Sequence, residues 1–394
     1  MTAAPAGLAA LLAALAAIGP FSIDTYLPAF PEMGAELGAT QLQVQQTLTA
    51  YMVTFAVMAL WHGALSDAFG RRRVIIVSTS LFGAASLLCA FAASIEALWL
   101  GRALQGMSAG AGMVVGRAVI RDIFDGARAQ RLMSRVMLIF GIAPAVAPMV
   151  GGGLLLLFGW RSIFVFLALF AAVLVGLSWR YLPETLPREA RQSMHPAPLL
   201  RAYGAVLGSG AFMLLAFALA LNFNGFFVYV LSAPVFVMEH LGLGPGAFGW
   251  LFVPAVAGMM GGAWLSGRVA GRWSARRSIG TGFVVMIAAV SFNVTHAAFF
   301  APSLPWSVLP VGVYTFGMAL AMPSLTLLAL DLFPSRRGLA SSCQSFTQVG
   351  VNALTAGVSA PLLWASPLSL GAGASVFVAL GLLCFVLWAG RKAQ

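Results

Sequence analysis

Long apolar runs separated by short polar turns make up most of the 394-residue chain. A membrane-spanning helix needs about 20 predominantly apolar residues, and this pattern predicts twelve of them. The expected spans are 7–30, 46–66, 74–94, 97–118, 135–158, 161–182, 208–238, 247–267, 279–299, 304–330, 338–363 and 370–390. The chain is therefore expected to be an all-α membrane protein with twelve transmembrane helices.

The longest polar interval, residues 181–204, falls between the sixth and seventh predicted spans. We expect an N-terminal six-helix bundle, a cytoplasmic linker and a C-terminal six-helix bundle, with the bounds 1–182, 183–207 and 208–394. "LSD" after the second span also matches "LSG" after the eighth, at an offset of about 200 residues. Transporters are often built from such repeats around a midplane site, so two pseudo-symmetric halves are predicted; an ordinary cytoplasmic turn is the alternative interpretation of the tripeptide.

Composition agrees with a chain that lies mostly in lipid. Hydrophobic residues make up 60% of the sequence, charged residues 8%, and the mean hydropathy is +0.93, whereas soluble domains carry about 25% charged residues. Residues 1–7 contain no Lys or Arg and the first apolar run is long enough to span, so no cleaved signal peptide is expected. The three cysteines are isolated in apolar runs, which predicts neither a disulfide nor a metal site.

Basic residues are distributed unevenly among the turns. If both termini are cytoplasmic, nineteen of the 22 Lys and Arg residues lie in or beside cytoplasmic connections, and only Arg161 lies in a periplasmic turn. This asymmetry follows the positive-inside rule and predicts a multi-pass protein of the bacterial inner membrane with both ends in the cytoplasm. The net charge of +11 has a topological explanation, so no nucleic-acid partner is expected.

One carboxylate, Asp24, lies inside a predicted span, whereas the other ten acids lie at or beyond a membrane face. An ionised carboxylate in hydrocarbon costs at least about 2.5–3.5 kcal/mol by insertion scales, so it needs a partner or a use. Arg102 in the fourth span lies at a similar depth, and we expect the two to be partners in a proton-coupling site. A permanent structural ion pair is the alternative.

Polar residues inside three spans are ordered at helical spacing. They share one face in span two (Thr47, Tyr51, Thr54), in span seven (Asn222, Phe226, Tyr229) and in span eleven (Gln344, Gln348, Asn352). Three such stripes favour a wet central cavity. For any single residue, an ordinary interhelical hydrogen bond is nearly as good an explanation.

Two short segments carry further signals. In the turn "GALSDAFGRRRVI", Gly63 permits close contact and Gly70 a tight turn. Asp67 beside Arg71 and Arg72 forms a charge cluster. Glycines and prolines of span five permit close helix approach and a bend: Gly141, Pro144, Pro148 and Gly152.

These motifs resemble those of a known family. The turn at 63–75 resembles the signature of the major facilitator superfamily, "WLGRALQG" at 99–106 resembles its helix-four arginine motif, and "GIAPAVAPMVGG" resembles the helix-five motif of proton-driven exporters. "SIDTYLPAFP" resembles the helix-one motif of twelve-span drug exporters, and residues 227–252 are similar to the bicyclomycin- and chloramphenicol-resistance branch. The sequence departs from the signature at Ala64, Ala68 and Arg73, which leaves its acidic and glycine positions intact.

The resemblance implies the activity. It predicts proton-coupled efflux of hydrophobic drugs, phenicols or bicyclomycin among them, by a monomer that needs only the proton gradient and no cofactor; export or proton symport of a small metabolite is the alternative. An enzyme is not expected, because the four histidines are dispersed and no HExxH occurs in the sequence. The residues expected to line the drug cavity are Tyr26, Tyr51, Asn222, Phe226, Tyr229, Gln344, Gln348 and Asn352.

By the same resemblance, Asp67 and Arg71 form with Asp122 a cytoplasmic lock that holds the outward-open state. Ser335 would begin helix eleven on the same side and offer a positive helix end to a carboxylate of this cluster. The alternative is a solvated surface cluster that only orients the turn and contributes about 0–1 kcal/mol.

The charge asymmetry predicts the topology directly. Reporter fusions near residues 127 and 273 should report a cytoplasmic location, and fusions near 159 and 242 a periplasmic one. An alkaline phosphatase reporter, which is active only outside the cytoplasm, measures both sets. A reversed signal at any of the four sites would refute the span count.

Overall fold

The computed structural model describes residues 6–124, 126–191 and 196–391, and every regular element in those ranges is a helix. The chain divides into two compact units, unit 1 (Met1–His195) and unit 2 (Pro196–Gln394). Each unit is described by itself.

Unit 1 begins with a span that is not one helix. Its helices are α1 Ala6–Asp24, α2 Phe30–Leu37, α3 Gln41–Phe69, α4 Arg71–Ala90, α5 Ile95–Ala109, α6 Ala111–Ile123, α7 Gly126–Phe158 and α8 Arg161–Tyr181, with 3₁₀ turns at Leu27–Ala29 and Arg188–Ala190. Between α1 and α2 the helical hydrogen-bond ladder stops. Pro28 in the 3₁₀ turn has no N–H to donate, which favours this interruption.

Unit 2 contains a second set of eight α-helices and two π-helical segments. Its α-helices are α9 Pro196–Leu207, α10 Gly210–Leu231, α11 Gly249–Val269, α12 Ala275–Phe299, α13 Leu309–Leu330, α14 Arg337–Leu354, α15 Ala360–Leu363 and α16 Pro367–Arg391. The π-helices are Val235–His240 and Thr355–Ser359, and 3₁₀ turns lie at Pro245–Phe248 and Pro334–Arg336. The predicted seventh and tenth spans are thus shorter than expected, because their ends are π-helical or irregular.

Ten helical segments in the described ranges are long and apolar enough to cross a membrane. The two predicted spans outside this set are the fourth and the eleventh. Gly110 divides the fourth into α5 and α6, of 15 and 13 residues, and α14 of the eleventh carries the Gln and Asn stripe that lowers its hydropathy. Both segments outside the set carry candidate functional groups, Arg102 in the fourth span and Gln344, Gln348 and Asn352 in the eleventh.

Helices in both units approach closely where one of them presents a glycine. A Cβ at Gly106 of α5 would overlap the Tyr51 carbonyl of α3, and one at Gly151 of α7 would overlap the carbonyl of Thr25 between α1 and α2. In unit 2, a Cβ at Gly258 of α11 would overlap the Gly312 carbonyl of α13. Small residues allow such backbone contact, which drives helix association where lipid offers no hydrophobic effect between helices.

We expect Gly151→Val to destabilise the protein by about 1–3 kcal/mol, because the added side chain must displace the Thr25 backbone. Gly153→Val, in the same helix, is the matched control, since nothing lies within 4 Å of its Cβ position. The midpoint of thermal unfolding in detergent measures both. Equal midpoints would show that α7 does not depend on this contact.

Candidate functional site

Asp24 ends α1 beside the interruption of the first span. Its exposed fraction is only 5%, and the next residue, Thr25, returns its hydroxyl to the Phe21 carbonyl. Gly151 of α7 lets that helix lie against the interrupted backbone. The carboxylate is thus held where the main chain changes direction, although the sequence predicted only an uninterrupted helix there.

Arg102 of α5 has no exposed surface at all. Its Nη1 donates to the Ser22 hydroxyl at 2.9 Å and to Gln105 Oε1 at 2.6 Å. The guanidinium carbon lies 4.3 Å from the ring centre of Tyr26 and 4.5 Å from that of Tyr51. Two aromatic faces within about 6 Å of a buried cation stabilise it by cation–π attraction.

Asp24 and Arg102 form no ion pair in this conformation, so the alternative of a permanent structural ion pair is not observed, and their joint role in proton coupling stays a prediction. Within the ranges that the structure describes, Asp24 has no ion-pair partner. Ser22 and Gln105 accept the hydrogen bonds of Nη1, and the two tyrosine rings lie against the guanidinium. The Nε and Nη2 groups of Arg102 remain buried, and no described residue accepts a hydrogen bond from them.

We call Ser22, Asp24, Tyr26, Tyr51, Arg102 and Gln105 the N-terminal polar cluster. Tyr26 shares a hydrogen bond of 3.1 Å with Thr47 of α3, and Tyr51 interacts electrostatically with Asp24 as well as with Arg102. Gln105 extends the cluster to Ser86 of α4. Because Gln105 follows Arg102 by three residues on α5, helical spacing alone was sufficient to predict its involvement.

The polar residues of unit 2 form hydrogen bonds between helices, in part through residues outside the predicted stripes. Asn352 of α14 accepts a hydrogen bond of 2.8 Å from Asn224 of α10, not from the predicted Asn222. The backbone carbonyl of Asn222 accepts a hydrogen bond from the Tyr314 hydroxyl. The side-chain amide of Asn222 is buried without a described partner. Gln344 donates to Thr326 at 3.2 Å, and Gln348 is half-buried on the same helix.

Tyr229 and Phe226 border a small cavity inside unit 2. The Tyr229 hydroxyl accepts a hydrogen bond of 3.0 Å from Asn293 of α12, and its ring packs edge-on against Phe236. The cavity that these residues share with Tyr314 has a volume of about 10 Å³, which is at most the space of one water molecule. In this conformation the two aromatic side chains pack the interior and border no drug-sized space there.

Arg71, at the start of α4, is the centre of the predicted charge cluster. Its guanidinium pairs with Asp67, with Asp122 at 3.2 Å, and donates to the Ser66 hydroxyl at 2.6 Å. Arg72 instead donates to the Trp179 carbonyl of α8. The structure therefore brings Asp67, Arg71 and Asp122 together within unit 1.

Glu184, which the sequence analysis passed over, completes this cluster. It accepts the backbone N–H of Arg71 at 2.9 Å and lies 3.7 Å from Arg191. Gly70 begins α4 without a side chain that can cap it, so Glu184 supplies a negative acceptor at the positive end of that helix. Gly70 has φ +97°, and a Cβ there would overlap the Glu184 carboxylate. Thr185 adds a hydrogen bond of 2.7 Å to Asp122.

Some glycines do not have the packing role expected of them. Nothing lies within 4 Å of a Cβ placed on Gly63 or on Gly141, so neither permits a close contact. In the fifth-span motif Gly151 makes that contact, next to the predicted Gly152, which is buried. Pro144 and Pro148 both lie inside α7.

Comparison with known sequences identifies the family. The family model of the Major Facilitator Superfamily matches residues 11–356. The chain belongs to this superfamily. Among its relatives are the "Uncharacterized MFS-type transporter YdgK" of Bacillus subtilis (strain 168), 34% identical over 85% of this chain and 84% of that one, and "Multidrug resistance protein D" of Escherichia coli (strain K12), 28% identical over 98% and 96%. The "Bicyclomycin resistance protein homolog" of Haemophilus influenzae is 28% identical over 65% of each chain.

Solved structures share the fold of this superfamily member. A bacterial homologue of the human lysosomal transporter Spinster, in an inward-facing and unoccupied conformation, superposes with a TM-score of 0.71 at 16% identity, over 98% of this chain and 97% of that one. The human organic anion transporter MFSD10 (TETRAN) gives 0.65 at 18% identity, over 97% of each. The protein is an all-helical membrane transporter with a major facilitator fold.

We expect Glu184→Ala to lower the stability of the protein by about 1 kcal/mol, because the first N–H of α4 loses its charged acceptor. Glu189→Ala is the matched control: Glu189 lies in the same segment and is exposed. Thermal unfolding in detergent measures the difference. If both variants unfold at the same temperature as the wild type, Glu184 does not cap α4.

Proposed function

We propose that the protein exports hydrophobic drugs, with phenicols and bicyclomycin as first candidates, across the bacterial inner membrane in exchange for protons. The family match and the names of two relatives, a multidrug resistance protein and a bicyclomycin resistance homologue, support drug export. No cofactor enters this proposal, since the proton gradient supplies the energy. We further propose that a monomer with both termini in the cytoplasm suffices for transport.

The observation that carries the proton coupling is the surroundings of Asp24. In the described ranges it is the one buried carboxylate and it has no ion-pair partner. Arg102, which donates to Ser22 two residues before Asp24, has two unused donors. A group that alternates between charged and neutral forms needs a site that does not hold it permanently ionised. Arginine cannot deprotonate in a protein, so within this cluster Asp24 is the carrier.

In the proposed cycle, Asp24 takes up a proton from the periplasm as drug is released and returns it to the cytoplasm as drug binds. Deprotonated Asp24 turns to the free Nε and Nη2 of Arg102, which gives the charged state a partner that the present conformation lacks. Alternating access then follows from the cluster of Asp67, Arg71 and Asp122, which holds one state until the proton is exchanged. Tyr26 and Tyr51 are buried against Arg102 in the present conformation, and in the drug-binding conformation of this cycle they offer aromatic area with polar tips to the drug.

Export of an anionic metabolite is the second candidate, and one observation favours it. Two buried guanidinium donors without a partner suit a carboxylate of a substrate as well as that of Asp24. A growth-inhibition panel over many antibiotics, in a strain deleted for its own efflux pumps, separates the candidates. Protection that wild type gives and Asp24→Asn does not give supports drug export, whereas protection against no compound favours the metabolite.

We expect Asp24→Asn to insert normally and to lose proton-driven export, because the amide keeps the size of the carboxyl but cannot exchange a proton. Efflux from proteoliposomes with an imposed pH gradient measures it, together with the proton movement that drug addition triggers. Glu96→Gln, in the exposed first turn of α5, removes one acid elsewhere and should leave both signals unchanged. Uphill export by Asp24→Asn at the wild-type rate would show that Asp24 is structural.

We expect Asp67→Asn to remain folded but to slow transport, because it removes a charge that faces water while it weakens the hold on Arg71. Asp331→Asn is the matched control: it removes the same charge from the exposed pair with Arg337. The initial rate of efflux from vesicles measures both. A wild-type rate for Asp67→Asn would mean that the cluster only orients its turn.

A further inference from the structure

A groove lies on the outer face of unit 1, where α3 and α4 each pack closely on α5 but touch each other much less. Its volume is about 600 Å³. The floor contains Leu104 and Met107 of α5, and the walls contain Met58 of α3 and Leu81 and Leu88 of α4. None of the residues that line this groove belongs to the N-terminal polar cluster.

The groove faces the surroundings of the helices and not their interior. Leu81 is 58% exposed, Leu88 38% and Met107 43%, and all three lie on helices of a protein embedded in lipid. From Arg73 to Leu88 the groove follows fifteen residues of α4, about 22 Å at 1.5 Å per residue. One leaflet accounts for about half of a hydrocarbon core of about 30 Å. The groove is therefore long enough to hold an acyl chain through the full depth of one leaflet.

The end of the groove at the start of α4 is charged. Of three consecutive arginines there, Arg71 is held by Asp67 and Asp122, and Arg72 donates to the Trp179 carbonyl. Arg73 lines the groove and is exposed. No hydrogen bond or ion pair joins it to another residue that the structure describes. The groove therefore combines one available cation at the membrane surface with a long apolar channel.

We propose that this groove binds an anionic phospholipid, with the phosphate on the Arg73 guanidinium and one acyl chain along α4. Arginine recognises phosphate oxygens by paired charge-assisted hydrogen bonds. The same turn carries Asp67 and Arg71, so a bound lipid braces the charge cluster from its lipid side. This site is separate from the drug path and does not depend on which substrate is transported.

Native mass spectrometry of the detergent-purified protein, titrated with palmitoyl-oleoyl phosphatidylglycerol or phosphatidylcholine, tests the proposal. Wild type should bind phosphatidylglycerol more tightly, and Arg73→Gln should reduce that preference about fivefold, the effect of one surface cation on an anionic lipid. Arg272→Gln removes an exposed arginine from the turn between α11 and α12 and should keep the preference.

A second pair of variants tests the apolar channel. Ala84 lines the groove, so Ala84→Phe should abolish the binding of both lipids, whereas Ala172→Phe on the exposed face of α8 should not. Unchanged lipid binding by Ala84→Phe, or a preference retained in Arg73→Gln or lost equally in Arg272→Gln, would overturn the proposal. Displacement of lipid from wild type by a transported drug that Ala84→Phe no longer binds would make the groove a drug site instead.

Discussion

A charge within a bundle surrounded by lipid has to be satisfied by neighbouring protein groups, because no solvent is there to do so. Unit 1 meets this constraint in two ways. Arg71 is surrounded by carboxylates and a hydroxyl, so its charge is fully satisfied in this conformation. Arg102 has aromatic faces and two neutral acceptors but keeps two donors unused. The incompletely satisfied cation is the place where a ligand or a moving carboxylate gains most.

The interruption between α1 and α2 has a related effect. At a helix end the last carbonyl groups have no intrahelical partner, and here that end is Asp24. A side chain at such a point can change its direction without repacking a whole helix. The same holds for α5 and α6, which meet at Gly110 close to His62. Unit 1 thus places two helix interruptions next to ionisable side chains.

Apolar run length was sufficient to predict most of the fold. Ten segments follow from it, because lipid solvation acts on each helix independently of its neighbours. Run length was insufficient for the fourth and eleventh spans. Gly110 divides the fourth, and the glutamines of α14 lower the hydropathy of the eleventh; both features depend on contacts inside the bundle. Asp24 was found as a candidate because its charge stands alone in an apolar run. The partners of candidate residues were not found, because the contacts between Arg102 and Ser22 and between Asn224 and Asn352 join residues that are 80 and 128 positions apart.

Gly70 illustrates how tightly one position can be constrained by independent requirements. Its backbone angle of +97° excludes most side chains by local strain, and the Glu184 carboxylate occupies the space that a Cβ needs. Truncation of Glu184 would remove the collision with its carboxylate but leave the strain and the approach of Arg191. The position therefore has no single compensating change, and a randomised library over this turn will return glycine there even when its neighbours vary freely.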